Sequence, residues 1–361
     1  MTSTVVDRPL VLTLDAGGTN FSFAAMRAGE YVGDPVVLPA QAHNLEKSLA
    51  NLRTGFERVA AAAGEPADAI SFAFPGPADY AAGVTYNQGN LPAYADGVPL
   101  AKIIGDHFGV PVLINNDGDL FALGEALFGR LPDINRRLEA AGSDRRFRNL
   151  IGLTLGTGFG GGVVIDGRLL RGDNGLAGEV WLLRHGDLPG VNAEEGVSVR
   201  AVVSAYEAAT GHSVDQLTPR DIAEIARGDA PGDADAARAA FTRFGRALGD
   251  AVANLVTVLD GVVVLGGGLS DAHPLFMPGL LKAVGGKFSD QPNSPRRLVQ
   301  CVYNLESEAE AEVFFAPDAE DESAALKPRQ ARSAIAVSRL GANRTVARGA
   351  YALAQQALQP R

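Results

Sequence analysis

The same three letters, Leu-Thr-Leu, open two Gly-rich turns in this chain. Leu12-Thr13-Leu14 leads into Asp15-Ala16-Gly17-Gly18-Thr19-Asn20 and then the apolar stretch Phe21 to Met26. Leu153-Thr154-Leu155 leads into Gly156-Thr157-Gly158-Phe159-Gly160-Gly161-Gly162 and then Val163-Val164-Ile165. Each reads as a short strand, a turn of small residues and a second strand. Backbone N–H groups in such a turn can point at an anion, as phosphate loops require. The repetition predicts two similar halves, each offering a loop to one polyphosphate held between them.

Gly156, Gly158 and Gly161 also satisfy G-x-G-x-x-G, the dinucleotide-loop pattern, which needs a helix to follow. Val163-Val164-Ile165-Asp166-Gly167-Arg168-Leu169-Leu170 follows instead, and Asp-Gly between apolar runs is a hairpin signal. The glycines therefore sit between strands, and a Rossmann loop is excluded. Nor does the first loop end in the Gly-Lys-Ser/Thr of a P-loop.

A chain of 361 residues is long enough for two domains or one large one. Its 46% hydrophobic and 20% charged residues describe a globular protein. No apolar run approaches the ~20 residues needed to span a bilayer. Met1 to Arg8 lacks a signal-peptide layout, so a cytoplasmic protein with no membrane partner is expected. A net charge of −10 disfavours nucleic acid as a partner. Cys301 is the only cysteine, which excludes an intrachain disulfide and a Cys-rich zinc site. The strand-like Gln300-Cys301-Val302-Tyr303 reads it as a core residue.

Strand-like and helix-like segments alternate, which argues for an α/β protein. Helical spacing marks Leu45 to Ala63, Leu100 to Phe108, Asp119 to Phe128, much of Val197 to Leu259, and Thr345 to Leu358. Buried strands are expected at Ile70 to Phe74, Val110 to Ile114 and Val262 to Leu265. Leu131 to Arg148 is polar and basic and reads as an inserted helix or loop. Gln291 to Ser338 reads as largely irregular, and the acidic segment Glu306 to Glu322 within it as a solvated loop or edge hairpin.

Three strand ends carry the chemistry: Asp15, Asn115-Asn116-Asp117 and Gly266-Gly267-Gly268. Ligands gather at the carboxyl ends of strands in α/β sheets. Asp117 or Asp119 could instead cap the helix that follows. Neither loop holds a lysine, so Mg²⁺ near carboxylates must balance phosphate charge, as in phosphoryl transfer.

These residues together resemble the ROK family of sugar kinases and sugar-responsive repressors. Asp15-x-Gly17-Gly18-Thr19 is similar to that family's first phosphate motif, and Gly156-Thr157-Gly158-x-Gly160 to its second. Asn116-Asp117 is similar to its Asn-Asp pair, Leu265-Gly266-Gly267-Gly268 to its adenosine motif, and Ala177-Gly178-Glu179 to the start of its Ala-Gly-Glu-x-Gly-His segment. The resemblance implies an actin-like (ribonuclease H-like) ATPase fold, with two similar α/β domains around a cleft. The smaller would span residues 1–117 plus about 340–361, and the larger 118–339. It implies ATP-dependent phosphorylation of a hexose at its 6-hydroxyl, glucose first, with fructose, mannose or an N-acetylated amino sugar as alternatives. Asp117 would be the catalytic base. Asp15, Gly17, Gly18, Thr19, Asn20, Gly156, Thr157, Gly158 and Gly160 would hold the ATP phosphates, and Gly266, Gly267 and Gly268 the adenosine. Gly76, Asn90, Asn116, Asp117, Glu179 and Glu195 would line the sugar site. Asp15 would hold Mg²⁺ through water, and the assembly would be a homo-oligomer, commonly a dimer.

Two features depart from the family pattern. Its zinc site of one His and three Cys is missing, for Leu182 stands in the His position and no cysteine lies between Val180 and Glu194. The histidines (His43, His107, His185, His212 and His273) are scattered, and no zinc is expected. Gly118 replaces the usual Ala after the base. The family's repressors carry a helix-turn-helix domain ahead of the first motif, and with so few residues before Asp15 a repressor is the less expected reading. A non-catalytic actin-like assembly protein would need no hexose pocket.

Overall fold

The computed structural model describes residues 8–86, 89–211, 217–289, 291–318 and 330–359. They form two units, one of Met1–Phe128, Arg168–Ala177 and Leu340–Arg361, the other of Gly129–Gly167 and Gly178–Arg339.

The first unit is built on the hairpin β1 (Val11–Ala16) and β2 (Asn20–Arg27). Strand β3 (Val36–Pro39) pairs antiparallel with β2. After α1 (Leu45–Ala63), β4 (Ala69–Ala73) lies parallel to β1. After α2 (Leu100–Phe108), β5 (Val112–Asn115) lies parallel to β4 and runs into α3 (Asp117–Leu127). Val11 to Leu14 is buried without alternation, the pattern of a strand covered on both faces. Helix α1 starts where the Asn44 side chain accepts the Lys47 N–H and stops at Gly64, whose φ is 73°. Its Leu52, Phe56 and Val59 recur at helical spacing and pack with Phe23 and Phe72 in the core.

The second unit repeats the plan. It opens with α4 (Arg130–Ala140) and a hairpin of β6 (Leu150–Leu155) and β7 (Phe159–Ile165). Helices α5 (Val199–Thr210), α6 (Pro219–Arg227) and α7 (Ala234–Leu259) precede β8 (Val262–Gly266), which lies parallel to β6. Beyond α8 (His273–Gly285) come β9 (Cys301–Asn304), α9 (Glu308–Phe315) and β10 (Arg332–Val337), with β10 parallel to both β8 and β9. In both sheets an antiparallel hairpin is extended by parallel strands on the side of its first strand. Strand β7 leaves through Asp166-Gly167, both at positive φ (49° and 75°), the turn that the dipeptide predicts.

Helix α10 (Ala342–Leu358) belongs to the first unit, where Tyr351 and Ala354 pack on Val11, Met26 and Ala69. It crosses α3 at glycines: a Cβ on Gly349 would fall 1.8 Å from the Leu120 carbonyl oxygen, and one on Gly124 2.1 Å from that of Thr345. This contact keeps α3 with the first unit, so the break expected after residue 117 falls after Phe128.

The acidic segment differs from the solvated loop expected for it. Glu308–Phe315 is helical, burying Ala311, Phe314 and Phe315, while Glu320, Asp321 and Glu322 lie outside the described residues. Glu306 binds Arg130 at 2.8 Å, and Asp318 binds Arg145 at 3.0 Å. Phe147 stacks on Phe314 with centroids 5.5 Å apart. The basic insertion and the acidic segment are thus partners, which neither shows alone. Cys301 is half-buried and accepts a hydrogen bond from Gln330 instead of sitting in the core. Among the described residues no helix is long and apolar enough to cross a membrane.

Candidate functional site

In the first unit, parallel register sets Asp15 beside Ala73 and Ala73 beside Asn115. Asp15 and Asn115 therefore stand level at the carboxyl edge, two strands or about 10 Å apart by ordinary strand spacing. Asn116 is the cap of α3, its Oδ1 accepting the Asp119 N–H at 2.6 Å. Capping thus falls to Asn116, and neither aspartate performs it. Asp117 is exposed on the first turn, where the helix dipole favours its charge, and accepts the Gly118 N–H at 2.9 Å. Burial, and secondly the Asp117 charge, push the Asp15 carboxyl above its usual range.

The first loop is closed by the Gly17 N–H donating to the Asn20 carbonyl at 3.0 Å. The Gly18 and Thr19 N–H groups have no partner among the described residues. Asn90 lies directly over Gly18, where a Cβ would meet the Asn90 Cβ at 2.9 Å. Gly76 follows β4, beside the Tyr80 hydroxyl.

The second unit brings its two glycine loops together. The Gly156 N–H closes the loop on the Gly158 carbonyl at 3.1 Å, and Thr157 is exposed at its tip. Gly266 pairs with Thr154 across the parallel strands. Gly267 has φ 86°, and a Cβ there would fall 2.5 Å from the Leu155 carbonyl oxygen. Only glycine fits. The N-terminus of α5 completes the cluster, Val199 N–H donating to the Gly156 carbonyl at 2.9 Å. A helix N-terminus of this kind favours an anion, and no motif in the sequence marks it as part of the cluster.

The acidic residues differ in what holds them. Glu194 Oε2 accepts the Phe159 N–H of the second loop at 3.1 Å. Glu195, the expected sugar carboxylate, is exposed and bound by Arg200 at 2.6 Å. Both stand on the 3₁₀ turn Ala193–Glu195, and Arg200 lies 3.8 Å from Glu194 as well as 2.6 Å from Glu195, so what separates the two is the Phe159 N–H that Glu194 accepts. Glu179 is half-buried and accepts the Trp181 Nε1–H at 2.5 Å.

The ROK family model matches residues 11–302. A relative, the N-acetyl-D-glucosamine kinase of Aliivibrio fischeri, is 31% identical over 280 residues, covering 73% of this chain and 85% of its own. The chain belongs to the ROK family. The structure is similar to that of a glucokinase from Parabacteroides distasonis, with TM-score 0.84, 45% identity and 99% of each chain covered. A ROK hexokinase from Thermus thermophilus shares the fold, with TM-score 0.68, 24% identity, and 95% of this chain and 97% of its own covered. The actin-like ATPase fold expected from the motifs is the fold of this ROK protein.

Leu182, at the position where the family resemblance implies a histidine, is 57% exposed. His185 Nδ1 instead accepts the N–H groups of Asp187 and Leu188 at 3.1 and 3.2 Å. It orders its own loop. His212 lies outside the described residues. Among the described residues no group of three or more His, Cys, Asp or Glu is placed to hold a metal.

Proposed function

We propose that this chain, an ATP-dependent sugar kinase, transfers the γ-phosphoryl group to the 6-hydroxyl of a hexose, with glucose the first candidate. The observation that carries this reading is Asp117, a carboxylate not used as a helix cap, beside Asp15 and Asn116 at one sheet edge. Asp117 accepts the proton of the 6-hydroxyl as that oxygen attacks phosphorus. Asn116, whose Oδ1 is committed to the cap, offers its amide N–H groups to sugar oxygens. Asn90, held over Gly18, and Gly76 complete this side.

The free N–H groups of Gly18 and Thr19, with Asp15 and Asn20 flanking them, serve phosphate oxygens. In the second unit, Gly156 to Gly160 and the α5 N-terminus serve phosphate, and Gly266 to Gly268 lie against adenosine. Glu179 accepts sugar hydroxyls. Of the adjacent pair, Glu194 has the geometry to join it, because it reaches the loop and Glu195 does not. The donor set fits Mg²⁺: burial and the Asp117 charge make Asp15 costly to ionise, and a hard dication bound by its carboxylate oxygen would relieve that cost. Bound there, Mg²⁺ neutralises phosphate charge.

Glucose is favoured over an N-acetylated sugar by the 45% identity to a glucokinase across 99% of the chain. The 31% identity to an N-acetyl-D-glucosamine kinase keeps that sugar as the alternative, with mannose and fructose. A net charge of −10 opposes a DNA-binding repressor. The test is a coupled ATP-consumption assay over these four sugars. The reading predicts the highest kcat/KM for glucose, and ATP turnover stimulated by no hexose overturns it. Light scattering of the purified chain tests the homodimer that the family resemblance implies.

A further inference from the structure

The turn that carries Glu179 is anchored at its base and open at its tip. Val180 is buried, and a Cβ on Gly161 of β7 would meet its Cγ2 at 2.8 Å. The Leu182 N–H donates to the Glu179 carbonyl, and the Leu183 N–H to the Val180 carbonyl, both at 3.1 Å. Trp181 projects from this fixed turn 37% exposed, with its indole N–H directed onto Glu179 Oε2. A tryptophan so placed keeps more than a third of its surface open while its one polar atom is committed to Glu179.

The chemistry of the pair differs from that of Glu195. Arg200 reaches both oxygens of Glu195, at 3.4 and 2.6 Å, and occupies them with a cation. An indole N–H is a single neutral donor. It fixes one oxygen of Glu179 and leaves the charge and the other oxygen available. A carboxylate that must accept hydroxyl hydrogens from a ligand needs that combination: one rotamer, full charge and one open edge.

We propose that Trp181 is the positioning residue of the sugar site, holding the Glu179 carboxylate for substrate hydroxyls by way of its indole N–H. This rests on the reading of Glu179 as a sugar-binding carboxylate. A sugar that covers the turn also dries the Trp181–Glu179 bond, and so strengthens it as substrate arrives.

Three variants and one optical signal test it. Trp181→Phe keeps an aromatic ring and removes the donor, so the KM for glucose should rise by about tenfold, the usual scale for a hydrogen bond to a charged group. The KM for ATP and the melting temperature should stay unchanged. Trp181→Gln keeps an N–H and loses the ring, and should restore most of the wild-type KM. Wild-type behaviour of Trp181→Phe, or a Gln variant worse than the Phe variant, assigns the ring to packing and overturns the proposal. Trp181 is the only tryptophan in the chain. Its emission should therefore change saturably with glucose in the wild type and fail to do so in Glu179→Gln; a flat wild-type titration is equally fatal. Glu179→Gln with a wild-type KM would instead overturn the sugar-site reading of Glu179 itself. A damaged Glu179→Gln beside an undamaged Trp181→Phe defeats the positioning role alone.

Discussion

The side-chain oxygen of Asn116 accepts the backbone N–H of Asp119 at 2.6 Å, and this bond decides what Asp117 is free to do. A helix needs one such cap, and Asn116 provides it. Asp117 is left exposed, and among the described residues only the adjacent Gly118 N–H is on its carboxylate. Asp117→Asn preserves size and hydrogen bonding and removes proton acceptance. Turnover should fall by about 10² or more with little change in sugar affinity. Near-normal kcat would remove Asp117 from the chemistry. Asp119 is 5% exposed, so Asp119→Asn should lower the melting temperature more than it lowers kcat. Asn116→Ala should cost about 1 kcal/mol of stability through loss of the cap.

Asp15 makes stability depend on pH in a predictable sense. Its folded-state carboxyl titrates above its ordinary value, because of burial first and the Asp117 charge second. A raised carboxyl binds its proton more tightly in the folded state, so its stabilising contribution is full below the ordinary value. That contribution is lost as pH rises through the folded-state value. At neutral pH the ionised Asp15 therefore opposes folding until a cation offsets it. Asp15→Asn should melt higher than wild type in chelator at pH 7. It should also lose part of the melting-temperature rise that MgATP gives the wild type, and lose turnover. A variant that melts lower in chelator, or gains as much from MgATP, contradicts the metal role of Asp15.

The glycine turns were legible because strand, small-residue turn and strand is a local pattern, and the two halves state it twice. The same holds for the Asp166-Gly167 turn, where the dipeptide sets positive φ at both positions. The cap of α3 was not legible, since Asn116, Asp117 and Asp119 are all good caps and only the strand's exit angle chooses among them. The choice between Glu194 and Glu195 was hidden for a similar reason. Which side chain faces the loop depends on the phase of a 3₁₀ turn that Asn192 starts, its Oδ1 accepting the Glu195 N–H at 3.3 Å. The acidic segment misled because its charge pattern masks the apolar face Ala311, Phe314 and Phe315. The arginines that neutralise Glu306 and Asp318 are distant in sequence.

The two neighbouring glutamates should separate in kinetics. Glu194→Gln weakens acceptance at the Phe159 N–H and alters the carboxylate nearest the second loop. Its kcat/KM for glucose should drop by at least ~10-fold, since a site built around hydroxyl contacts is sensitive to one lost acceptor. Glu195→Gln breaks an exposed ion pair with Arg200, which is worth little. Its kinetics should match wild type. If Glu195→Gln shows the larger loss, the sugar carboxylate is Glu195 after all, and the pair with Arg200 must open on binding.

Gly267 and Gly268 separate stability from nucleotide binding. At Gly267 the backbone is left-handed, at φ 86°, and a Cβ would lie 2.5, 2.8 and 2.9 Å from the backbone O, N and C of Leu155. An L-residue in this region costs roughly 1–2 kcal/mol before any clash is counted. The Leu155 carbonyl cannot move freely, because it accepts the Leu269 N–H at 3.0 Å. Gly267→Ala should therefore lower the melting temperature and raise the KM for ATP together, by displacing the two loops from each other. A Cβ on Gly268 meets nothing within 4 Å, so Gly268→Ala should melt like the wild type. If adenosine lies on this turn, the methyl group meets the nucleotide and raises the KM for ATP alone, leaving the KM for sugar unchanged. Should Gly268→Ala leave both constants at wild-type values, the adenosine does not rest on Gly268, and the nucleotide reading of this turn loses its support.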